Sequence, residues 1–230
     1  MAKIYVDRDR ILSEEQAFKA AELAIAENPK NSTGEGDGIG TLELAMNTEK
    51  KWRSGDELSV SFLGGHPGVH DRLVEIASQW CDFANLAFDF GDYADAKIRI
   101  SFEEGGNWSW VGTDALVIEK GVPTMNYEWL SPDTPEADFN RVVLHEFGHA
   151  LGCIHEHQSP AGGVPWNLDV VYDYYISNFG WTEIQVFENL IEKYDTSSTQ
   201  FGEFDPNSIM IYHIPKELTL DGYEVRWNTE

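Results

Sequence analysis

The chain has 230 residues, 42% hydrophobic and 13% aromatic, with two cysteines and a formal net charge of −24. That apolar content supports a core and excludes a disordered chain, while two cysteines are too few for a disulfide scaffold. The charge repels nucleic acid and anionic membrane, so neither is expected as a partner, and no run of 18 or more apolar residues is present to span a bilayer.

Such a charge serves solubility first and the attraction of basic substrates second. Residues 1–50 read as an N-terminal extension, and Met1-Ala2-Lys3-Ile4-Tyr5 lacks the apolar stretch of a signal peptide. Ser13-Glu14-Glu15-Gln16 is a capping-box signature, and the Ala-rich run behind it predicts a helix to Glu27, stopped by Asn28-Pro29. The glycine-rich residues 34–40 read as a flexible linker.

Leu58-Ser59-Val60-Ser61-Phe62-Leu63 alternates apolar and polar residues and predicts a half-buried strand. Val69, Leu73, Ile76, Trp80, Phe83 and Ala87 are spaced four and three apart, which predicts one amphipathic helix over 67–87. Phe88-Asp89-Phe90 and the alternating Lys97–Phe102 follow. Strand, long helix, strand implies a right-handed crossover and a largely parallel pairing. Trp108 to Leu116 reads as an edge strand, and Thr124–Tyr127 as one more strand. The two tryptophans there, Trp108 and Trp110, suit either side-chain pockets or simple packing. Thr134-Pro135-Glu136 predicts a helix start, with Thr134 as the cap.

That helix carries His145-Glu146-Phe147-Gly148-His149-Ala150-Leu151-Gly152-Cys153-Ile154-His155. His145 and His149 lie one turn apart, about 6 Å, on one helix face. Both imidazoles are therefore spaced to grip one metal ion, with Glu146 beside them within reach of a water on that ion. Gly152 suits the left-handed conformation that ends a helix and turns the chain, returning His155 as a third ligand. Three protein ligands leave a fourth position open, as a catalytic zinc site requires. A structural site would be closed by four ligands, and no fourth stands at matching spacing. His157 is the competing candidate for the third position. In a chain of this composition the five fixed residues coincide by chance in roughly 5 of 100,000 cases, so the pattern is specific. Cys81 and Cys153 read as buried free thiols, with a bridge open only if their helices pack together.

Beyond the motif, Leu168 to Tyr175 predicts a short helix, and Thr182-Glu183-Ile184-Gln185 caps another that runs to about Tyr194.

The motif resembles that of the metzincin zinc endopeptidases, and Glu156 directly after His155 resembles the astacin branch. Ser208-Ile209-Met210-Ile211-Tyr212 resembles the family's Met-turn. Trp108–Asp114 and His155–Pro160 are similar to small microbial and fungal astacin-type proteases. The resemblance covers roughly residues 50–230. It implies an α+β, metzincin-type fold: a twisted mixed sheet with two long helices above a zinc cleft, and a smaller, mostly irregular or helical lower subdomain. The catalytic domain would span 51–230, split into 51–152 and 153–230. Zn2+ would be the cofactor, held by His145, His149 and His155, with Tyr212 as a further ligand at rest. The activity implied is endopeptidase, through a zinc-bound water activated by Glu146, with Tyr212 also stabilising the transition state. The substrate would be a peptide or protein bound in extended form along the edge strand, and the chain is read as a secreted monomer. Met210 would floor the metal, and Glu156 would pair with a mature N-terminus. Residues 1–50 would then be either a pro-segment, with Asp37 as a blocking ligand, or plain surface chain. Family members continue into a C-terminal helix, so truncation at Glu230 is expected. Two positions depart from the pattern: Ser159 stands where the family carries Arg, and Ile211 where His is usual. Three alternatives stay open: Tyr212 as a core residue, a zinc hydrolase of a non-peptide amide or ester, and a silent zinc-binding module.

Overall fold

A computed structural model describes residues 10–33, 44–226 and 228. Asp37, the linker over 34–40 and the first nine residues lie outside the described residues. The described chain forms two compact units, one holding 10–33 and 47–153, the other 44–46, 154–226 and 228.

The first unit is α+β, built on a five-stranded mixed sheet. Its strands are β1 (Glu57–Phe62), β2 (Ala87–Phe90), β3 (Ile98–Ser101), β4 (Trp108–Ser109) and β5 (Met125–Asn126), in spatial order β2-β1-β3-β5-β4. The parallel pairing expected from the strand–helix–strand order is present: Leu58 lies opposite Phe88, and Val60 opposite both Phe90 and Ile98. Only β4 runs antiparallel, with Trp108 opposite Asn126, and it is the outermost strand on its side.

Three helices cover this unit: α1 (Glu14–Glu27), α2 (Pro67–Ala77) and α3 (Glu136–Leu151). The Ser13 hydroxyl and Gln16 close the expected capping box of α1. Helix α2 stops earlier than the periodicity predicts. It tightens into a 3-10 turn over Ser78–Asp82, so the last two apolar positions leave its face. Phe83 is consequently 86% exposed, and Ala87 opens β2. The start of α3 also differs, since Pro135 takes the cap position and offers no side-chain acceptor. The Thr134 hydroxyl instead accepts from the Ser131 N–H at 2.9 Å.

Packing follows the helical period. Phe139, Val143 and Phe147 of α3 are fully buried with Leu58, Val60, Leu73, Ile98, Ile100 and Met125. Each such side chain contributes about 1.5–3 kcal/mol by leaving water. Phe147 meets Phe88 edge-on at 5.0 Å, and the Arg72 guanidinium lies 3.9 Å over Phe139.

Strand β3 is buried on both faces, although its alternating sequence reads as half-exposed. Arg99 sits on the supposed outer face and is 4% exposed. Its guanidinium donates to the carbonyls of Val122 (2.6 Å), Ala96 (2.7 Å) and Ile118 (3.2 Å). A loop with unpaired carbonyls covers that face, and the cation supplies the donors those carbonyls need.

The expected strand over 108–116 is short because Gly112 turns the chain into a 3-10 helix over Gly112–Val117. Gly112 has φ +52°, and the Thr113 N–H donates to the Lys50 carbonyl at 3.0 Å. Burial pushes the Asp114 carboxyl above its ordinary range, and the Lys50 ammonium at 2.6 Å draws it part of the way back.

In the second unit, α4 (Leu168–Phe179) ends at Gly180, and α5 (Glu183–Val186) runs into a single π-turn over Phe187–Ile191. Val171 and Tyr175 bury the inner face of α4, and Tyr175 packs on Trp181 at 5.0 Å. Thr182 and Gln185 close the predicted capping box of α5, but the regular helix ends after one turn.

Candidate active site

Helix α3 carries His145, Glu146 and His149 with its apolar stripe buried, so the backbone bearing these groups is held firmly. Gly152 ends it with φ +104°, its N–H donating to carbonyls of the last turn. The Cys153 N–H bonds back to the Gly148 carbonyl at 2.9 Å, which completes the turn that redirects the chain toward His155.

The outcome is a three-histidine cluster on one continuous segment. His145, His149 and His155 each offer a ring nitrogen, and these atoms lie within 4.8 Å of one another. The Nε2 atoms of His145 and His149 are 3.2 Å apart. Two nitrogens at about 2.0–2.1 Å from a tetrahedral zinc lie about 3.3 Å apart, so the spacing fits that ion. His149 Nδ1 lies 3.0 Å from the Cys153 carbonyl. A proton on Nδ1 satisfies that carbonyl and leaves the Nε2 lone pair for a metal. All three rings are buried, as is Glu146, which is 1% exposed. Three buried imidazoles with one carboxylate at hand form a donor set suited to Zn2+.

His157 is placed elsewhere. It stacks on His155 at 5.3 Å between ring centres, but its Nε2 meets the Asn189 carbonyl at 2.9 Å. Tyr212 packs its ring on His155 at 4.3 Å. The Met-turn is tied to the motif's end, since the Glu156 N–H donates to the Met210 carbonyl at 2.9 Å, and Met210 is fully buried. Glu156 is also buried; its Oε1 accepts from the Asp205 N–H at 3.3 Å. Burial pushes its carboxyl up, opposed by backbone N–H bonds from Asp205 and Ala45. Cys81 and Cys153 form no disulfide; Cys153 is buried as expected, whereas Cys81 is half-buried.

Several supports of the site carry no motif. The Trp52 indole donates to the Ala150 carbonyl at 2.8 Å, and the Trp80 indole to the Leu144 carbonyl at 3.0 Å. These two bonds pin the back of α3. Trp52 is in turn held by the N-terminal segment: Asn28 donates to its carbonyl at 3.3 Å, and Asn31 to the Lys51 carbonyl at 2.9 Å. Trp108 lies under the Arg10 guanidinium at 4.1 Å and is buried, so packing accounts for it. Two indoles flanking apolar runs were the only signal available in the sequence for α3's buttresses.

No protein-family profile matches the chain. Among solved structures it is similar to myroilysin, 38% identical with a TM-score of 0.78, over 80% of this chain and 91% of that one. The chain belongs to the astacin-like zinc metalloproteinases. Curated members related to it include the zinc metalloproteinases dpy-31 and nas-27 of Caenorhabditis elegans. They are 28% and 30% identical over 112 and 109 residues, 48% and 47% of this chain. The matched stretch spans 18% and 23% of those two proteins, so most of their length has no counterpart here. Zinc is the ion that an astacin-like protein uses, and it is the ion this donor set fits. Peptides are the substrate class of the family.

Proposed function

We propose that the chain is a zinc-dependent endopeptidase in which His145, His149 and His155 hold Zn2+ and Glu146 moves the proton. The observation that carries this reading is the convergence of three buried imidazole nitrogens within 4.8 Å. A zinc ion there supplies Lewis-acid polarisation of the scissile carbonyl and lowers the pKa of water from about 16 to about 7. Glu146 is buried on α3 between His145 and Phe147, on the helix that also carries His149. It takes a proton from the attacking water and returns it to the leaving amine. The Tyr212 phenol, packed on His155, donates to the oxygen on which negative charge develops. Met210 is a soft apolar floor without a chemical step.

An extended peptide would add as one more strand on the side of the sheet where β4 is outermost. A net charge of −24 disfavours nucleic acid and anionic membrane as partners.

The test is a substrate panel with the zinc-loaded chain. Casein and internally quenched peptides should be cut within the chain, a chelator should stop turnover, and added zinc should restore it. Turnover of esters or small amides with peptides left intact would overturn the reading.

A further inference from the structure

The second unit carries a feature that proton transfer and metal binding leave unused. Helix α4 and the α5–π-turn segment line an open groove of about 650 Å³. That volume is in the range of ligand sites. Its apolar lining comes from Tyr172, Ile184 and Phe187. Ile184 is 67% exposed and Phe187 44%, a large apolar surface to leave in water on so short an element. Around them stand four carboxylates, Asp169, Glu183, Glu188 and Glu192. Among the described residues no Lys or Arg pairs with any of them. The nearest cation in sequence, Lys193, is engaged elsewhere, donating to the carbonyls of Ser159 and Gly162.

The backbone gives an independent sign. The turn over Phe187–Ile191 is a π-turn, a rare geometry frequent at functional sites. It begins at Phe187, in the groove wall. The surrounding sequence is strongly acidic on balance: residues 154–228 hold twelve acidic residues against Lys193, Lys216 and Arg226.

An anionic wall with an apolar floor selects its complement. Anions are repelled, and a purely apolar ligand leaves four carboxylates to be desolvated without partners. A polypeptide segment with Lys or Arg on either side of a Leu or Phe satisfies both surfaces: the apolar side chain covers Ile184 and Phe187 while the cations meet the rim. We propose that this groove is a docking site for such a cationic, apolar-centred segment of the polypeptide substrate. The substrate role rests on the peptidase reading above; binding in the groove does not.

A fluorescein-labelled Lys-Leu-Lys-Phe-Lys peptide tests it, titrated by anisotropy into the zinc-loaded full chain carrying Glu146→Gln, which slows cutting of the probe. Adding Glu188→Lys with Glu192→Lys should weaken binding roughly tenfold, and Ile184→Ser roughly fivefold. The same charge change on α2, Asp71→Lys with Glu75→Lys, should alter it less than about twofold. Asp71, Glu75, Ile184 and Glu192 are exposed and Glu188 is half-buried, and circular dichroism checks that each variant is folded. Equal loss in the α2 variant would reduce the effect to general charge and overturn the proposal, as would unchanged binding in the groove variants. With Glu146 intact, the groove variants should raise KM for a quenched peptide bearing the basic segment and leave kcat unchanged. They should leave an untailed peptide unaffected. Binding that depends on the groove in a chain that cuts no peptide would sink the substrate role and the peptidase reading together, while the groove stands as a peptide site.

Discussion

Replacing Glu146 with Gln is expected to lower peptide cleavage by about 10²–10⁴-fold while zinc stays bound. Gln keeps the size and one hydrogen-bonding oxygen of Glu but cannot accept a proton at neutral pH. Glu146 is 1% exposed on a helix whose neighbours Phe147 and Val143 are fully buried, so the substitution has little room to rearrange the backbone. The histidines are separate donors and keep their spacing. Activity and metal content therefore part company in this variant. Steady-state cleavage of a quenched peptide beside zinc content by atomic emission makes the comparison. Activity near that of the parent chain would remove Glu146 from the proton path.

The largest expected effect on stability comes from a residue with no chemistry. Gly112→Ala should destabilise the first unit by about 3 kcal/mol. Two costs add. At φ +52° an L side chain is strained, and an added Cβ would stand 2.0 Å from the Lys50 carbonyl oxygen. That oxygen belongs to backbone and also accepts the Thr113 N–H at 3.0 Å, so it cannot yield without losing the bond. The Lys50–Asp114 pair sits on the same two segments and would be pulled apart with it. For a chain of this size the loss corresponds to a fall in Tm of about 6–12 °C. Thermal melts of the zinc-loaded protein read it directly, and an unchanged Tm would contradict the tight approach at this position.

The three histidines proposed as metal ligands were legible because two short-range rules place them. Helical period puts His145 and His149 on one face, and Gly152 takes the left-handed conformation that L side chains avoid. Both rules act within eleven residues, so no knowledge of tertiary contacts was needed. Tyr212 is different. Its packing on His155 spans 57 residues of sequence and was reachable only through the Met-turn resemblance. The parallel sheet was legible from strand–helix–strand order, yet burial along β3 was not. Alternation predicts a wet face at Arg99, and only the loop folded over it explains why that face is dry. Phe83 fails for the converse reason: the apolar period continues in sequence after α2 has tightened into a 3-10 turn. The indole bonds of Trp52 and Trp80 to α3 join residues more than sixty positions apart and leave no local pattern.

Zinc content tests the account most directly. After zinc loading and removal of excess metal, the folded chain should retain one zinc ion. His149→Ala and His155→Ala should each weaken zinc affinity by several orders of magnitude while leaving the first unit's sheet intact by circular dichroism. A folded chain that retains no zinc, or one whose zinc survives both substitutions, would contradict the three-histidine site and the chemistry assigned to it.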